Sequence, residues 1–421
     1  MIMSDEKFKN EIDWIGSIPL GWDSNRAKYL FALRSSKGNS LSLKLLTPSQ
    51  IYGVIPQEKY ERLSSFKTVK LKEGTDLKQF RTVHKGDFCI SLRSFQGGFE
   101  FSTYEGVVSP AYQIFYPVKK VCGRYYKYLF KVEPFINKIN SLTLSLRDGK
   151  NISFFDFGNI RIPKPNLEVQ EKIANFLDNK CSEIDSLVAD IQKEISILED
   201  YKISVITEAT IKGLDPTVEM KKTDVDCFEA IPTDWNVSKI KYVSQEVNDS
   251  GLMDPDTDSY IGLENLLPYS ENLVSSDSSY LLSTQKKCHK GNVLFSRLRP
   301  YLAKSTVLKK DSYATSEFIE LLPKKCEARY LRYCLLNNIV LNKINLSTYG
   351  SKMPRASSDF ILNQYICFPE LNEQIVIADY LENKCSEIDQ IISVKQSQLE
   401  LLAEYKKSLI YEYVTGKKEV I

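Results

Sequence analysis

Apolar residues recur every seven positions in two stretches of the chain, and this spacing predicts two long helices. The predicted seam residues, which repeat at that interval, are Leu177, Ile184, Ile191, Leu198 and Val205 in the first stretch and Leu381, Ile388, Leu402 and Leu409 in the second. Charged residues fill most of the intervening positions, which is typical of a coiled coil. The other seam position of the first helix is expected to hold Leu187, Ile195 and Tyr201. In the second helix Ile391, Ile392 and Leu399 are expected beside the seam, which Lys395 interrupts. We predict antiparallel pairing, because a parallel pair would force the intervening chain to span the whole helix.

The two helices belong to an internal repeat with an offset of 204 residues. The seven residues Asn179–Asp185 recur identically as Asn383–Asp389. Just before them, the pattern Pro-x-Leu-x-x-Gln-x-x-Ile-Ala-x-Phe/Tyr-Leu begins at Pro165 and again at Pro369. Farther upstream, an Ile-Pro-x-x-Trp motif ends at Trp22 in one half and at Trp235 in the other, with Lys-Tyr shortly after. The chain is therefore one unit of globular block plus helix, used twice.

Each globular block contains short strand-like runs separated by Gly, Pro and Asn, with one helix predicted at 125–140 and another at 329–345. We therefore predict an α/β (α+β) fold with two tandem globular domains, separated by two long antiparallel coiled-coil helices and related by pseudo-two-fold symmetry. The predicted divisions are an N-terminal segment 1–23, a first domain 24–166, a first helical spacer 167–212, a linker 213–235, a second domain 236–370 and a second helical spacer 371–417.

The charge is segregated although the net charge is only +2. Residues 24–162 carry 23 Lys and Arg against 10 Asp and Glu, whereas residues 163–235 carry 8 against 16. Basic blocks separated by acidic segments favour a polyanionic partner. No apolar run approaches the roughly 20 residues of a membrane helix, and the N-terminus lacks a signal peptide. We predict a soluble cytoplasmic protein without a membrane partner, whose nine cysteines are reduced thiols.

Catalytic signatures are missing from the sequence. There is no phosphate-binding loop, dinucleotide fingerprint, zinc-protease motif or nucleophile elbow. Cys288–His289 lacks a second pair of ligands for zinc, so no metal site is predicted. These absences favour a binding scaffold over an enzyme. Two alternatives stay open: a single-chain DNA methylase or nuclease with an unrecognised site, and a coiled-coil adaptor without nucleic-acid function.

The duplicated helical motif, together with the Ile-Pro-x-x-Trp openings, resembles the specificity subunit of type I restriction–modification systems. The resemblance covers residues 12–417. It implies that each globular block is a target recognition domain reading one half of a split sequence in double-stranded DNA. It also implies that the helices dock two methylase subunits and that two restriction subunits join the complex.

The resemblance further implies that this chain holds no cofactor and performs no chemistry. S-adenosylmethionine would bind the methylase subunits, which modify adenine N6, and ATP with magnesium would bind the restriction subunits. The sequence does not give the target bases or the spacer between the half-sites. Candidate DNA-binding residues are those of polar loops beside predicted strands: Arg93, Arg147, Lys150 and Asn151 in the first domain, and Arg297, Arg299, Lys352 and Arg355 in the second.

Overall fold

The computed structural model describes residues 8–37, 44–64, 68, 77–90, 98–142, 152–254, 257–271, 273–274 and 284–420. The chain divides into two compact units. Unit 1 comprises Met1–Asp190 and Gln398–Ile421, and unit 2 comprises Ile191–Ser397. Each unit therefore combines one globular block with part of both long helices, because the divisions fall inside the helices.

In its described residues, unit 1 is built on short strands and four short helices. Its strands are β1 (Phe8–Ile12), β2 (Gly16–Pro19), β3 (Asp23–Arg26), β4 (Phe31–Leu33), β5 (Leu46–Ser49), β6 (Gly53–Pro56), β7 (Arg81–Val83), β8 (Phe88–Ile90), β9 (Phe99–Phe101), β10 (Gly106–Val108), β11 (Gln113–Pro117) and β12 (Arg161–Lys164). Its short helices are α1 (Gln57–Ser64), α2 (Gly123–Leu129), α3 (Glu133–Leu142) and α4 (Phe154–Asn159). The long helix α5 (Leu167–Lys212) begins here and continues into unit 2.

Unit 2 repeats this plan. Its strands are β13 (Met220–Lys222), β14 (Ala230–Pro232), β15 (Asn236–Lys239), β16 (Ser244–Val247), β17 (Asp249–Leu252), β18 (Tyr260–Ile261), β19 (Thr284–Cys288), β20 (Val293–Ser296), β21 (Ser305–Val307), β22 (Ser312–Ala314), β23 (Phe318–Pro323) and β24 (Tyr365–Phe368). Its helices are α6 (Ile240–Val243), α7 (Ala328–Leu336), α8 (Asn338–Leu346), α9 (Ser358–Leu362) and the long α10 (Leu371–Val414), which ends in unit 1.

The sheets repeat as well. A four-stranded antiparallel sheet has the order β4-β11-β8-β9 in unit 1 and β16-β23-β20-β21 in unit 2. In each block the last strand pairs with an early one, as β12 with β3 and β24 with β15. A second sheet in unit 2 has the order β17-β19-β22-β18. The described part of unit 1 repeats it through single bridges, because Lys37 pairs antiparallel with Arg81 of β7, β7 pairs with β10, and Leu45, just before β5, pairs parallel with Val107 of β10. Both sheets are therefore duplicated, and the two blocks differ after the parallel strand, where unit 1 continues with β6 and α1 and unit 2 with a 3-10 turn, Leu263–Asn265.

The prediction of one helix at 125–140 and one at 329–345 was wrong, because each region is two helices. In unit 1, Pro134 lies in the first turn of α3, where its missing N–H costs nothing, but it cannot continue α2. In unit 2, Asn337 has an extended ψ of 130°, and its side chain accepts hydrogen bonds from the N–H groups of Ile339 and Val340. Asn337 therefore ends α7 and caps α8.

A buried glutamine attaches each block to its long helix. Gln170 and Gln374 are 1% exposed. The Gln170 Oε1 accepts from the Cys122 N–H at 2.8 Å, and its Nε2 donates to the Pro165 carbonyl at 2.7 Å. Gln374 makes the same two bonds, with the Glu327 N–H at 2.8 Å and the Pro369 carbonyl at 2.9 Å. The glutamine of the repeated motif thus bonds the carbonyl of a buried proline and the N–H of a half-buried residue of the block.

The tryptophan of each Ile-Pro-x-x-Trp motif packs on the glycine that ends a long helix. A Cβ built on Gly213 would lie 3.2 Å from Trp235 Cζ2, and one on Gly416 would lie 3.1 Å from Trp22 Cη2. Both glycines have positive φ, 75° and 74°, as helix C-caps commonly do. Residues 213–235, predicted as a linker, thus reach the core of unit 2, where Trp235 is 2% exposed.

The long helices run antiparallel within each unit, as predicted. In unit 1, the Phe176 ring packs against Tyr413 with ring centroids 4.4 Å apart. Nine residues farther along α5, Asp185 accepts a hydrogen bond from Lys406. In unit 2, Lys202 donates to both carboxylate oxygens of Asp389 at 2.7 Å. Asp185 and Asp389 are equivalent positions of the repeat, and so are Lys202 and Lys406. The same ion pair therefore occurs in both units, with the aspartate on α5 in unit 1 and on α10 in unit 2.

The structure buries one stripe of each long helix. Of the predicted seam residues, Leu198 and Leu402 are half-buried, and the buried ones are Leu177, Ile184, Ile191, Val205, Leu381, Ile388 and Leu409. Leu187, Tyr201 and Ile391 are 47–48% exposed, so their expected place at the seam was wrong, whereas Ile195, Ile392 and Leu399 are half-buried. Leu187 and Tyr201 each follow a seam residue by three positions, which places them about 60° around the helix from the buried stripe. Lys395, which interrupts the second stripe, pairs with Glu194.

Candidate nucleic-acid interface

The four candidate residues of the second domain lie on two loops that the backbone joins. One loop follows β20, and the other leads from α8 to α9. The Arg297 N–H donates to the Glu317 carbonyl at 2.8 Å, and the Arg299 N–H donates to the Pro354 carbonyl at 2.8 Å. The Arg297 carbonyl accepts from the Ala356 N–H at 2.9 Å. The structure therefore brings these residues into one surface, which we call the second-block loop cluster (residues 296–303 and 349–356).

Two of the four cations in this cluster are open to solvent. Arg299 and Lys352 are exposed, and the Arg299 guanidinium makes a long contact of 3.4 Å from Nη2 to the Lys352 carbonyl. Arg297 is half-buried, donates through Nη2 to the Ser316 carbonyl, and keeps a buried Nε–H without a partner among the described residues. Arg299 and Lys352 are thus the side chains best placed to meet a phosphate or a base edge.

Arg355 has a different environment. Its Nε and Nη2 donate hydrogen bonds to the two carboxylate oxygens of Glu317 at 2.6–3.2 Å. These hydrogen bonds lower the pKa of the Glu317 carboxyl. A bidentate arginine–carboxylate pair fixes both side chains in one orientation. Arg355 therefore stabilises the loop, and its positive charge is neutralised by the Glu317 carboxylate.

The candidates of the first domain, Arg93, Arg147, Lys150 and Asn151, lie outside the described residues. Their assignment as DNA-binding residues stays a prediction.

Sequence reasoning missed three exposed side chains of the loop cluster. Tyr301 is 52% exposed, Tyr349 64% and Met353 50%. They are close in sequence to Arg299 or Lys352, and aromatic side chains near cations are typical of surfaces on which nucleic-acid bases stack. The sequence carried a weak signal for one of them, because Tyr301 lies in the basic run Arg297-Leu298-Arg299-Pro300-Tyr301.

In the described part of the chain, no group of three or more His, Cys, Asp or Glu side chains could hold a metal ion. His289 instead contacts the carboxylates of Glu320 and Asp249 at 3.2 and 3.3 Å. All nine cysteines fall within the described ranges and none is bridged; seven are buried and two are half-buried. A search of the described helices finds none that is long and apolar enough to cross a membrane.

A family model described as the type I restriction modification DNA specificity domain matches the chain twice, at residues 19–196 and 220–401. The two matches cover most of the sequence and follow the internal repeat. The chain belongs to the type I restriction–modification specificity family. Each match includes one globular block and the start of the long helix that follows it.

Similar proteins of this family come from distant organisms. The type I restriction enzyme MjaVIII specificity subunit of Methanocaldococcus jannaschii is 27% identical over 284 residues, which is 63% of each chain. The EcoDI specificity subunit of Escherichia coli is 20% identical over 340 residues, 72% of this chain and 76% of that one. The alignment therefore spans less than two thirds of the MjaVIII relative's length.

Two solved structures share the fold. A chain from a study of complex assembly and conformational transition of the type I restriction–modification system superposes with a TM-score of 0.68 at 14% identity, covering 95% of this chain and 99% of that one. The HsdS subunit of Thermoanaerobacter tengcongensis gives 0.52 at 14% identity, covering 95% and 98%. The predicted fold class, two tandem α/β (α+β) domains with long antiparallel helices, is confirmed for this specificity-family chain.

Proposed function

We propose that this chain reads a bipartite sequence in double-stranded DNA, one globular block per half-site, as the specificity subunit of a type I restriction–modification complex. The observation that carries the proposal is a duplicated framework with unlike additions. Both blocks share the two sheets and the helix attachments, whereas the chain after the parallel strand forms β6 and α1 in unit 1 and a 3-10 turn at Leu263–Asn265 in unit 2. Equivalent frameworks with different surfaces suit two different half-sequences.

The long helices carry a surface suited to two copies of one protein partner. In unit 1, Leu187 is 48% and Tyr405 55% exposed; in unit 2, Ile391 is 47% and Tyr201 48% exposed. The repeat offset converts each member of one pair into a member of the other. The Asp185–Lys406 and Asp389–Lys202 ion pairs fix the register of the two helices. In that register the two apolar residues of each unit lie at the same height along the helix pair. We infer that each unit docks one methylase subunit on this exposed apolar pair.

The remaining chemistry belongs to the partners in this proposal. The methylase subunits bind S-adenosylmethionine and modify adenine N6, the restriction subunits use ATP and magnesium, and this chain binds DNA in the cytoplasm without catalysis. A target adenine has to leave the base stack before it can be methylated, so the methylase works beside each reading block.

The proposal is tested by methyl transfer. The purified chain alone is expected to transfer no methyl group, and mixing it with its methylase is expected to give methylation at one split sequence. Replacing only residues 24–166 by those of a relative should change one half of that sequence. Methyl transfer by the chain alone would support the single-chain methylase instead, and a swap that changed both halves would refute independent reading.

The docking surface has its own test. Leu187→Glu is expected to leave one methylase bound per chain, and Leu187→Glu combined with Ile391→Glu to leave none, as measured by mass photometry of the reconstituted complex. Ser182→Glu is the matched control, because Ser182 is exposed and lies about 140° around the helix from Leu187. Two methylases on the double variant would contradict the inferred surface.

A further inference from the structure

A short turn in the second-block loop cluster has unusual backbone geometry. In the described part of the chain, the non-glycine residues with positive φ are Tyr269 at 52°, Arg299 at 48° and Ala303 at 50°. Arg299 and Ala303 flank a single 3-10 turn, Pro300–Leu302. L-residues adopt this left-handed region at a cost in free energy, and such residues concentrate at functional sites.

Hydrogen bonds hold the strained turn from both sides. The Ala303 N–H donates to the Pro300 carbonyl at 2.8 Å, and the Leu302 N–H donates to the Arg299 carbonyl at 2.9 Å. Outside the turn, the Tyr269 N–H donates to the Ala303 carbonyl at 3.1 Å. Pro300 and Ala303 are buried, so both ends of the turn are anchored in the unit.

The anchored turn projects one large side chain. Tyr301 lies between the buried residues Pro300 and Ala303 and is 52% exposed. A tyrosine has only two side-chain torsions, so presenting it on a fixed turn costs little conformational entropy on binding. Within the strained turn, Tyr301 is the exposed residue, whereas Leu302 is half-buried and Pro300 is buried.

The residues near Tyr301 in the loop cluster are suited to contact with a nucleic acid. Arg299 precedes the turn and is exposed, and its Nη2 lies 3.4 Å from the carbonyl of the exposed Lys352. Met353, the next residue, is 50% exposed. Cations beside an apolar group can neutralise phosphates while the ring meets bases.

We propose that Tyr301 is a stacking residue that inserts against a base step of the second DNA half-site and partly unstacks it. Stacking of this kind contributes to specificity through the deformability of the step, without hydrogen bonds to base edges. The inference rests on the proposed DNA-reading function and adds a residue and a contact to it.

The experiment uses the full chain without methylase, so that no base is flipped by a partner. The probe is a duplex of the methylated sequence mapped as above, carrying 2-aminopurine at successive positions of the second half-site. Binding of the unaltered chain is expected to raise the fluorescence at one step. Tyr301→Ala is expected to abolish that rise and to weaken binding about 5- to 150-fold, whereas Tyr301→Phe retains both.

Two controls separate stacking from other roles. Tyr242→Ala removes another exposed tyrosine of unit 2, 62% exposed, and is expected to change neither signal. The slope of affinity against salt should be the same for Tyr301→Ala as for the unaltered chain, because no phosphate contact is lost. Circular dichroism and thermal unfolding check that the variants fold.

Three results would overturn the inference. If the unaltered chain binds its mapped duplex no better than a scrambled one, the proposed function fails and the stacking role fails with it. If the duplex is preferred but Tyr301→Ala behaves like Tyr242→Ala, only the stacking role is wrong. A variant that binds DNA normally and loses methylase would assign Tyr301 to a protein contact instead.

Discussion

The end of α10 closes on the first block of the chain, and Gly416 is the residue that allows the close approach. Its φ is 74°, and an added Cβ would lie 2.4 Å from Pro19 Cγ and 3.1 Å from Trp22 Cη2. Gly16, in the same unit, has nearly the same φ of 73°, but a Cβ added there would meet nothing within 4 Å. The pair Gly416→Ala and Gly16→Ala therefore separates a backbone cost from a packing cost.

The expected magnitudes follow from this difference. Both alanines adopt a left-handed conformation, which costs about 1–2 kcal/mol. Only the Gly416 variant also collides with Pro19, since carbon atoms prefer about 3.5–4.0 Å. Forcing an extra carbon into packed surroundings typically costs a further ~1–3 kcal/mol. Because one kcal/mol shifts the midpoint of a unit this size by about 2–4 °C, Gly416→Ala should melt about 2–12 °C below Gly16→Ala.

Calorimetry of both variants measures the difference, with the transition of each unit followed separately because two compact units need not unfold together. The unit 2 transition should stay unchanged in both variants. Equal melting of Gly416→Ala and Gly16→Ala would show that the helix end does not pack on Pro19, and the closure of unit 1 by α10 would be wrong.

Three further predictions follow from single contacts. Asp389→Ala should lower the free energy of unfolding in urea by about 2–3 kcal/mol, because Lys202 is 4% exposed and loses its counter-charge. Lys202→Met should lower it by under about 1 kcal/mol, because the half-exposed Asp389 carboxylate is solvated when left alone. Arg355 lowers the pKa of the Glu317 carboxyl, so the ionised carboxylate stabilises the fold above the unfolded pKa of about 4.3. The unaltered chain should therefore be more stable to unfolding than Glu317→Gln by up to about 1 kcal/mol at pH 7, and this difference should disappear as the pH falls below about 4. Inserting four helix-forming residues at 199–200 lengthens α5 by about 6 Å and adds about 40° of net rotation. If the helices set the distance between the two reading blocks, the DNA spacer mapped by methylation should grow by one or two base pairs, and both half-sites should stay the same.

The long helices were readable from sequence because their pattern is local and repeated. The seven-residue spacing needs no knowledge of tertiary contacts, and the identical stretch at Asn179 and Asn383 located both copies. The repeat also singled out Gln170 and Gln374, although their role appeared only with the backbone carbonyls and N–H groups that they bond. A glutamine in a motif does not reveal which backbone groups it will meet.

The proposed recognition surface was less predictable, because it depends on contacts between distant segments. Arg355 was a reasonable DNA-binding candidate by residue type, yet Glu317, 38 positions earlier, holds its guanidinium. Tyr301 was missed because its projection depends on positive φ at Arg299 and Ala303, which residue identity does not indicate for arginine or alanine. The break at Asn337 was missed since asparagine also occurs inside helices.

The division of unit 1 between the two ends of the sequence has a consequence for biosynthesis. A ribosome completes Met1–Asp190 early, but Gln398–Ile421 emerges only after all of unit 2 has been made. At about 5–20 residues per second, the wait is about 10–40 s. During that time the first block lacks the α10 segment that carries Leu409 and Val414, both part of its core. The part translated first is therefore the part that finishes folding last, and it is the one exposed longest to chaperones and proteases.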